Sequence, residues 1–446
     1  MPFTDKDTSL RTARAARAAV PAARHAEFPS AVQRADPLSL LARQDSGRVP
    51  ELLPLRYTRL AASPLAYFRG TALPAAADLA ATPRTGFPVQ ACGDAQLANF
   101  GLFAAPGRRL VFDFADFDET LRAPWEWDVK RLAASFEVTS RESGHPTGQR
   151  RRTVLAAVES YRLAMHDFAR RTPLEIFFAP PDARTLRTVA AHRLGRRRTA
   201  EAFRHTEIRD GQLQLAARAP WAVATGRLGG DGDPATLADR LGAVLRRYRR
   251  SLGPARRAVL DRYRLADVAR AVPGPTGSGA RCWVALLVRT DTGDPLLLQV
   301  KEARPSVLQE CTGASALDSP GRRVVTGQRL IQAAGDVFLG WARSPGFDGP
   351  ARDFHVRRLR DDRGSADATT MTPDVLRANA RLCGWTLAKA HARTGDALAI
   401  AAYLGSGPGF AEAVREFAMA CADQNERDYA ALRQAIRLGR VAAAGS

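Results

Sequence analysis

The spacing of hydrophobic residues predicts that helices make up most of this chain. Two short helices, broken at Pro64 and Pro74, are expected between residues 50 and 81, because proline interrupts a helix interior. A longer helix is entered through Pro124, and the chain then stays predominantly helical to about residue 270.

Strand patterns interrupt the helices in two places. Residues 87–118 read as strand, loop, strand, with a turn at Pro106 and Gly107. From Gly274 a glycine-rich turn leads into two strands joined by a hairpin turn at residues 292–294. The elements expected afterwards are a helix at 320–335, a strand at 353–361 and helices at 373–394 and 408–439. The pattern predicts an α+β protein with a β-rich unit inside a largely helical chain.

The composition is ordinary for a soluble globular protein apart from its charge. Of the 446 residues, 45% are hydrophobic and 25% are charged, and the formal net charge is +20. Such a charge suits a nucleic-acid or anionic partner. Lysine occurs only at positions 6, 130, 301 and 389, however, so the arginine excess reflects genome-wide composition as much as a binding surface. A nucleic-acid partner stays open on charge, but no recognisable motif favours it.

Five scattered cysteines form no CxxC pair. This argues against a disulfide framework or a structural zinc site and indicates a reducing compartment. The N-terminal residues lack the apolar segment of a secretory signal, and no stretch approaches the ~18 apolar residues of a membrane span. We expect a cytoplasmic protein that does not enter a membrane, and the oligomeric state is left open.

A dense acidic stretch in this basic chain carries the first candidate chemistry. Residues 92–119 hold Asp94 and Asn99, five positions apart, followed behind an apolar run by a set of acids: Asp113, Asp116, Asp118 and Glu119. Carboxylates and an amide suit a hard cation and its phosphates. The alternative is that Asp94 and Asn99 cap a turn and that the acids belong to a solvated loop.

A second group of candidate residues lies in the β-rich unit. Gly274, Gly277 and Gly279 precede a strand and could form a backbone cradle over phosphates, although a plain hairpin turn explains them too. Lys301 ends the strand that follows. In a chain that uses arginine almost everywhere, a strand-borne lysine suits the point charge that contacts α- and β-phosphates, whereas the alternative is a side chain that simply meets water.

Several segments resemble a bacterial family called domain of unknown function 2252. The similarity is carried by SPLAYFRG, VQACGDAQLANFGLF, VFDFADFDETLRAPWEWDVKRLAAS, LLLQVKEARPSVL, TGQRLIQAAGDVFLGW and LAKAHARTGD, spread over most of residues 50–435. The family's GDAHLxNFG and DFDE motifs in turn resemble the catalytic and metal loops of protein-kinase-like enzymes, particularly aminoglycoside and choline phosphotransferases.

This resemblance implies a role for each matching residue. Asp94 matches the catalytic aspartate that accepts the acceptor's proton, Asn99 the metal-binding asparagine, and Asp113 or Asp116 the metal-loop aspartate. Asp128 matches a structural acid behind such sites.

The sequence departs from the family pattern at two positions. Gln96 replaces the usual histidine, and Thr326 stands where an acidic partner for Lys301 is expected, so that Glu302 or Glu310 would have to substitute.

The order of the motifs implies a circular permutation of the kinase-like order. Kinase-like chains run from glycine loop and lysine strand through a helix, a hinge strand and a long helix to the catalytic and metal loops. Here the list starts at Gly274 and is completed only by returning to residue 86. The implied fold is a permuted two-lobed kinase-like fold with four parts: a flexible basic arm (1–50), a helical lobe carrying the catalytic and metal loops at 86–120 (51–265), a β-rich nucleotide-binding lobe (266–365) and C-terminal helices packing on the helical lobe (366–446).

The sequence therefore supports the hypothesis of an ATP- and Mg²⁺-dependent phosphotransferase acting on a small-molecule acceptor. One alternative keeps the same fold and is a catalytically weak pseudo-kinase or a nucleotidyl-transferring relative. An alternative of another class is a non-catalytic, basic nucleic-acid-associated protein. Three further residues have secondary roles in this hypothesis. Asp118 belongs to the acid cluster, Arg69 to a set that faces either phosphates or water, and His391 would lie near the catalytic loop if the permutation holds.

Overall fold

A computed structural model describes residues 5–104, 110–194, 206–209, 212–215, 222–223, 234–271, 279–333, 335–346, 349–359 and 367–444. The fold is α+β and mainly helical, as the sequence predicts. The helices in the first 260 residues are α1 (Lys6–Ala19), α2 (Pro37–Asp45), α3 (Leu53–Leu60), α4 (Pro64–Gly70), α5 (Ala72–Ala80), α6 (Trp125–Glu142), α7 (Thr147–Phe168), α8 (Pro173–Phe178), α9 (Ala183–Leu194), α10 (Pro234–Tyr248) and α11 (Pro254–Leu260). Those that follow are α12 (Gln309–Thr312), α13 (Pro320–Ile331), α14 (Pro373–Thr394), α15 (Ala397–Leu404) and α16 (Gly409–Arg437).

The strands of the described residues form one large sheet and three small ribbons. They are β1 (Pro88–Ala91), β2 (Phe100–Ala104), β3 (Leu110–Phe114), β4 (Leu121–Pro124), β5 (Thr206–Arg209), β6 (Gln212–Leu215), β7 (Ala222–Val223), β8 (Tyr263–Ala271), β9 (Cys282–Arg289), β10 (Pro295–Ala303), β11 (Gly340–Pro345) and β12 (Ala351–Arg358). The large antiparallel sheet has the order β11-β12-β10-β9-β8-β7, and the ribbons pair β1 with β4, β2 with β3 and β5 with β6.

The large sheet is buried on both faces at its centre. Side chains alternate across a strand, so Trp283 and Ala285 of β9 face α10, whereas Cys282 and Val284 belong to a separate apolar cluster on the opposite face. Because both faces of β9 are buried, its residues are almost all apolar. The centre of the sheet is thereby a rigid support for β10, which carries Lys301.

The helical part has its core around α6, nearly all of whose residues are buried. Trp125 at the start of α6 stacks on Tyr161 of α7, with ring centroids 5.7 Å apart and an interplanar angle of 3°. Helices α7 and α14 pack along each other, and α16 closes the core over α6. This core holds the segment between β1 and β4, which contains the acidic stretch.

The N-terminal segment predicted as a flexible basic arm is, over its described residues, a set of packed helices. Ser9 of α1 donates a hydrogen bond of 2.6 Å to Asp396, the N-cap of α15. Arg34, whose side chain is 7% exposed, pairs with Asp78 and Asp428. The arginine- and alanine-rich sequence of this segment has little apolar periodicity, but these hydrogen bonds and ion pairs to distant carboxylates hold the segment in place.

Other boundaries also differ from the sequence-based expectations. Pro74 lies in the first turn of α5, where its missing N–H has no helical partner to lose, and it does not break that helix. The predicted division at residue 265 falls inside β8, and α10, expected in the helical lobe, packs on the large sheet. Strand β4 and helix α15 were not predicted because four- and eight-residue segments carry little periodic signal.

Candidate functional site

The β1–β4 ribbon closes the base of the acidic stretch. Its last pair, Ala91 with Leu121, brings residues 92 and 120 side by side. Gly93 has a φ of +85°, and a Cβ there would lie 2.3 Å from the backbone oxygen of Glu119. Only glycine suits this left-handed, close-packed position. Both ends of the stretch therefore enter the same small region.

Asp128 holds the start of the stretch from behind. Its Oδ2 accepts a hydrogen bond from the backbone N–H of Cys92 at 2.8 Å, and its Oδ1 accepts one from Gly93 at 3.1 Å. His391 of α14 lies 3.3 Å from Oδ2 through Nε2, and its Nδ1 lies 2.9 Å from the Tyr161 hydroxyl. His391 is fully buried and supports Asp128 without facing the cavity described below.

Asp94 is oriented by three side chains. Arg131 of α6 donates to Oδ1 at 2.9 Å, and Gln96 donates to Oδ2 at 2.7 Å. The side-chain nitrogen of Asn99 donates to the Asp94 backbone oxygen at 2.9 Å. The side-chain oxygen of Asn99 is the acceptor atom of the same amide group. Gln96, at the family's histidine position, therefore fixes the carboxylate by a hydrogen bond.

The acids within and after β3 lie in different environments. Asp113 is buried, accepts hydrogen bonds from the backbone of Phe114 and Ala333 at 2.9 and 2.7 Å, and does not line the cavity. Burial raises the pKa of its carboxyl. Asp116 does line the cavity. Of the two aspartates between which the sequence could not choose, Asp116 is the one that lines the same cavity as Asn99.

Lys301 pairs with Asp118 across the junction of the large sheet and the helical part. The Lys301 ammonium donates to Oδ2 of Asp118. Burial disfavours both charged forms, but the attraction between the two charges outweighs the effect of burial. The pKa of Asp118 is therefore lowered and that of Lys301 is raised. Glu302 and Glu310, the predicted substitutes, pair with arginines instead.

Helix α13, which packs on the large sheet, also forms hydrogen bonds to the acidic stretch. Arg323, buried in α13, donates to the backbone oxygens of Thr120 at 2.5 Å, Asp118 at 2.7 Å and Arg304 at 2.8 Å. Nothing in the sequence distinguishes Arg323 from the many other arginines of this chain. Arg131 could have been found, because it lies one helical turn after Asp128 on the same face of α6.

Some of these groups line one cavity of about 320 Å³, near the lower limit for small-molecule sites. Of the residues singled out from the sequence, it brings together Arg69, Asp94, Asn99, Asp116, Asp118 and Lys301, with Glu119, Glu302 and Glu310. Residues between 43 and 48 and between 303 and 309 add a lining that was not singled out from the sequence. Gly279, with a φ of +83°, packs against Arg48 next to it, whereas Gly274 and Gly277 lie outside the described residues.

The donor set of the cavity is oxygen-rich. In the described part of the chain, no group of three or more histidine, cysteine, aspartate or glutamate side chains is placed to hold a metal ion. Mg²⁺ does not require one, since it commonly takes one or two protein ligands and completes its shell with water and phosphate. The oxygen atoms of Asn99 and Asp116 fit that requirement.

The fold and cavity define an α+β protein with an ionic, ligand-sized site between a large sheet and a helical part. Residues 48–435 match the model of a family described as uncharacterized protein conserved in bacteria, DUF2252, and the chain belongs to that family. No curated protein and no solved structure matches the chain. Among the described helices, none is both long and apolar enough to cross a membrane.

Proposed function

We propose that the protein binds ATP with Mg²⁺ and transfers a phosphoryl group to a small-molecule acceptor. One observation carries this proposal. Asp94, Asn99, Asp116 and Lys301, which come from two distant parts of the sequence, line a single cavity. A metal site, a cation on a strand and an acceptor-side carboxylate are the parts that phosphoryl transfer needs.

The order of the elements supports a permuted, two-lobed kinase-like architecture. Strand β10 with Lys301 is followed by α13, strand β12 and the long helix α14. The catalytic and metal segments would follow α14 in a kinase-like chain, and here they precede the sheet. Contacts of α14 with β1 and β3 place the end of that series beside the acidic stretch.

Asn99 and Asp116 would hold the metal ion. When bound, Mg²⁺ neutralises the charge of the nucleotide's phosphate oxygens. Lys301 contributes a fixed cation to the same phosphates, and its raised pKa keeps the ammonium charged at neutral pH. Its pairing with Asp118 and the rigidity of β10 hold that charge in position.

Asp94 is assigned to the acceptor hydroxyl. Each oxygen of a carboxylate has two lone-pair directions. Gln96 and Asn99 both donate to Oδ2 of Asp94, at 2.7 and 3.4 Å, whereas Arg131 occupies only one direction on Oδ1 and leaves the other for the acceptor. The carboxylate can therefore orient the acceptor and receive its proton while staying fixed.

The test combines Mg²⁺-dependent ATP binding by calorimetry with transfer of label from γ-labelled ATP. Asn99→Ala and Asp116→Asn are expected to weaken Mg²⁺-dependent binding by about tenfold or more, which is ~1.4 kcal/mol or more. Asp374→Asn, at an exposed side chain outside the cavity, is the control and should bind ATP like the wild type. Asp113→Asn, which disturbs two buried backbone hydrogen bonds outside the cavity, should also bind ATP at a temperature where the variant is folded. Asp94→Ala should bind but not turn over.

The by-product separates the reaction types. ADP indicates phosphoryl transfer, pyrophosphate indicates nucleotidyl transfer, and tight binding without turnover indicates a pseudo-enzyme. A wild type that neither binds nor turns over ATP with Mg²⁺ would refute the proposal.

A further inference from the structure

Arginines that have no role in the proposed chemistry line the same cavity. Arg43 and Arg48 come from the N-terminal segment, Arg69 from α4, and Arg304 from the loop after β10. We call Arg48, Arg69 and Arg304 the arginine rim. Arg43 is left out because it is exposed and pairs with Glu310.

Two of the three rim arginines are incompletely paired. Within the described parts of the chain, neither Arg304 nor Arg69 has a carboxylate at ion-pair distance, and the buried Nε of Arg69 has no hydrogen-bond partner. Arg48 pairs with Asp45. Arg69 and Arg304 are partly buried, and a partly buried charge without an ion-pair partner would be stabilised by a ligand of opposite charge.

The nearby acids are engaged elsewhere. Glu302 pairs with Arg281 and Arg352, and Glu119 accepts a hydrogen bond of 2.7 Å from the backbone of Val307. Burial, together with repulsion from Arg48, lowers the pKa of Arg304, although Glu302, Glu119 and Asp45 act on it in the opposite direction.

Two glycines make room for the rim. A Cβ on Gly47 would lie 2.6 Å from Nη2 of Arg304, and one on Gly279 would lie 3.1 Å from Cδ of Arg48. The guanidinium of Arg304 is further fixed by its hydrogen bond of 3.1 Å to the backbone oxygen of Gln44. The backbone is thus shaped to hold the two arginines at the cavity wall.

We propose that the arginine rim binds an anionic small molecule that carries a phosphate or carboxylate group. Guanidinium groups match both anions with paired hydrogen bonds. The proposed function enters only in naming this molecule the acceptor. Gln96 donates hydrogen bonds both to Asp94, the acceptor-side carboxylate, at 2.7 Å and to the backbone oxygen of Arg69 at 3.2 Å, so the rim adjoins the acceptor side of the cavity. The rim would then select an anionic acceptor.

The test measures anion binding without nucleotide, by calorimetry and by thermal shift. The probes are glycerol 3-phosphate, succinate and, as the neutral control, glycerol. Binding of either anion is expected, and the stronger one identifies the anionic group. Arg304→Gln and Arg69→Gln should each weaken binding by about tenfold or more, since each removes a charged hydrogen bond. The exposed Arg381→Gln makes the same charge change outside the cavity and should bind like the wild type.

Further variants separate this proposal from the proposed function. Lys301→Gln should weaken Mg²⁺-ATP binding and leave anion binding intact, and Arg304→Lys should restore part of the anion affinity. Rim-dependent anion binding without any ATP binding would refute the proposed function and leave the rim standing. The rim proposal is overturned if no anion binds, if Arg381→Gln is as damaging as Arg304→Gln, or if Arg304→Gln weakens ATP binding instead.

Discussion

Replacing Asp128 by asparagine tests whether this carboxylate holds the start of the acidic stretch. In the wild type the two oxygens accept from the backbone of Cys92 and Gly93, and His391 supports one of them. Asparagine has the same shape but only one acceptor oxygen. Its NH₂ group would face a buried backbone N–H, so two donors would meet.

The expected destabilisation follows from the bonds that are lost. One buried donor left without an acceptor costs about 1–3 kcal/mol, and exchanging a charged acceptor for a neutral one at the other bond costs about 1 kcal/mol more. We expect the free energy of unfolding to fall by about 3 kcal/mol. With ~2.1 cal/mol/K of unfolding entropy per residue over 446 residues, the midpoint of thermal unfolding should fall by about 3 °C.

Thermal and urea unfolding of Asp128→Asn measure this change. Asp374→Asn, at a side chain that is 79% exposed, is the control and should shift the free energy by less than about 0.5 kcal/mol. A change below about 1 kcal/mol in Asp128→Asn, or equal changes in both variants, would show that Asp128 does not hold the loop.

Three more predictions concern stability and binding. The pKa of buried His25 is lowered to about 3, chiefly by burial. Below pH ~6.5 the unfolded chain therefore binds a proton at His25 that the folded chain does not bind. The stability advantage of the wild type over His25→Gln should therefore shrink by about 2 kcal/mol between pH 7.5 and 5 in urea titrations. Gly93→Ala should destabilise by about 2 kcal/mol or more, because its Cβ meets the Glu119 backbone oxygen at a positive φ. Arg323→Leu, which strips three backbone oxygens of their donor, should cost about 2–4 kcal/mol and weaken Mg²⁺-ATP binding in calorimetry.

Each of these predictions has a matched comparison. A His25→Gln difference that is constant with pH would contradict the titration argument. Gly148→Ala, in the first turn of α7 with open space around the added carbon, should be neutral or stabilising by up to about 1 kcal/mol. Arg322→Leu, on the exposed neighbour of Arg323, should change ATP binding little; equal losses in both variants would point to net charge instead of the three hydrogen bonds.

Much of the local structure could be predicted from the sequence because its signals are short-range. Strands β2 and β3 within the acidic stretch, the hairpin turn at Gly293 and the helix entered through Pro124 all follow from periodicity and from proline and glycine chemistry. Helix α14 occupies the predicted residues 373–394. Strand β8 was not predicted, because its side chains have apolar neighbours only after it has paired with β9 in the sheet.

The acidic stretch shows where sequence information ends. By itself the sequence determined that carboxylates, an amide and a strand-borne lysine were present, because residue type and spacing are local properties. Only the tertiary structure placed Asp116 in the cavity and Asp113 against the backbone of Ala333, and paired Lys301 with Asp118. It alone also brought the arginine rim from three separate segments to one wall. Which side chains share a cavity depends on how the sheet packs on the helical part, and no spacing along a chain encodes that distance.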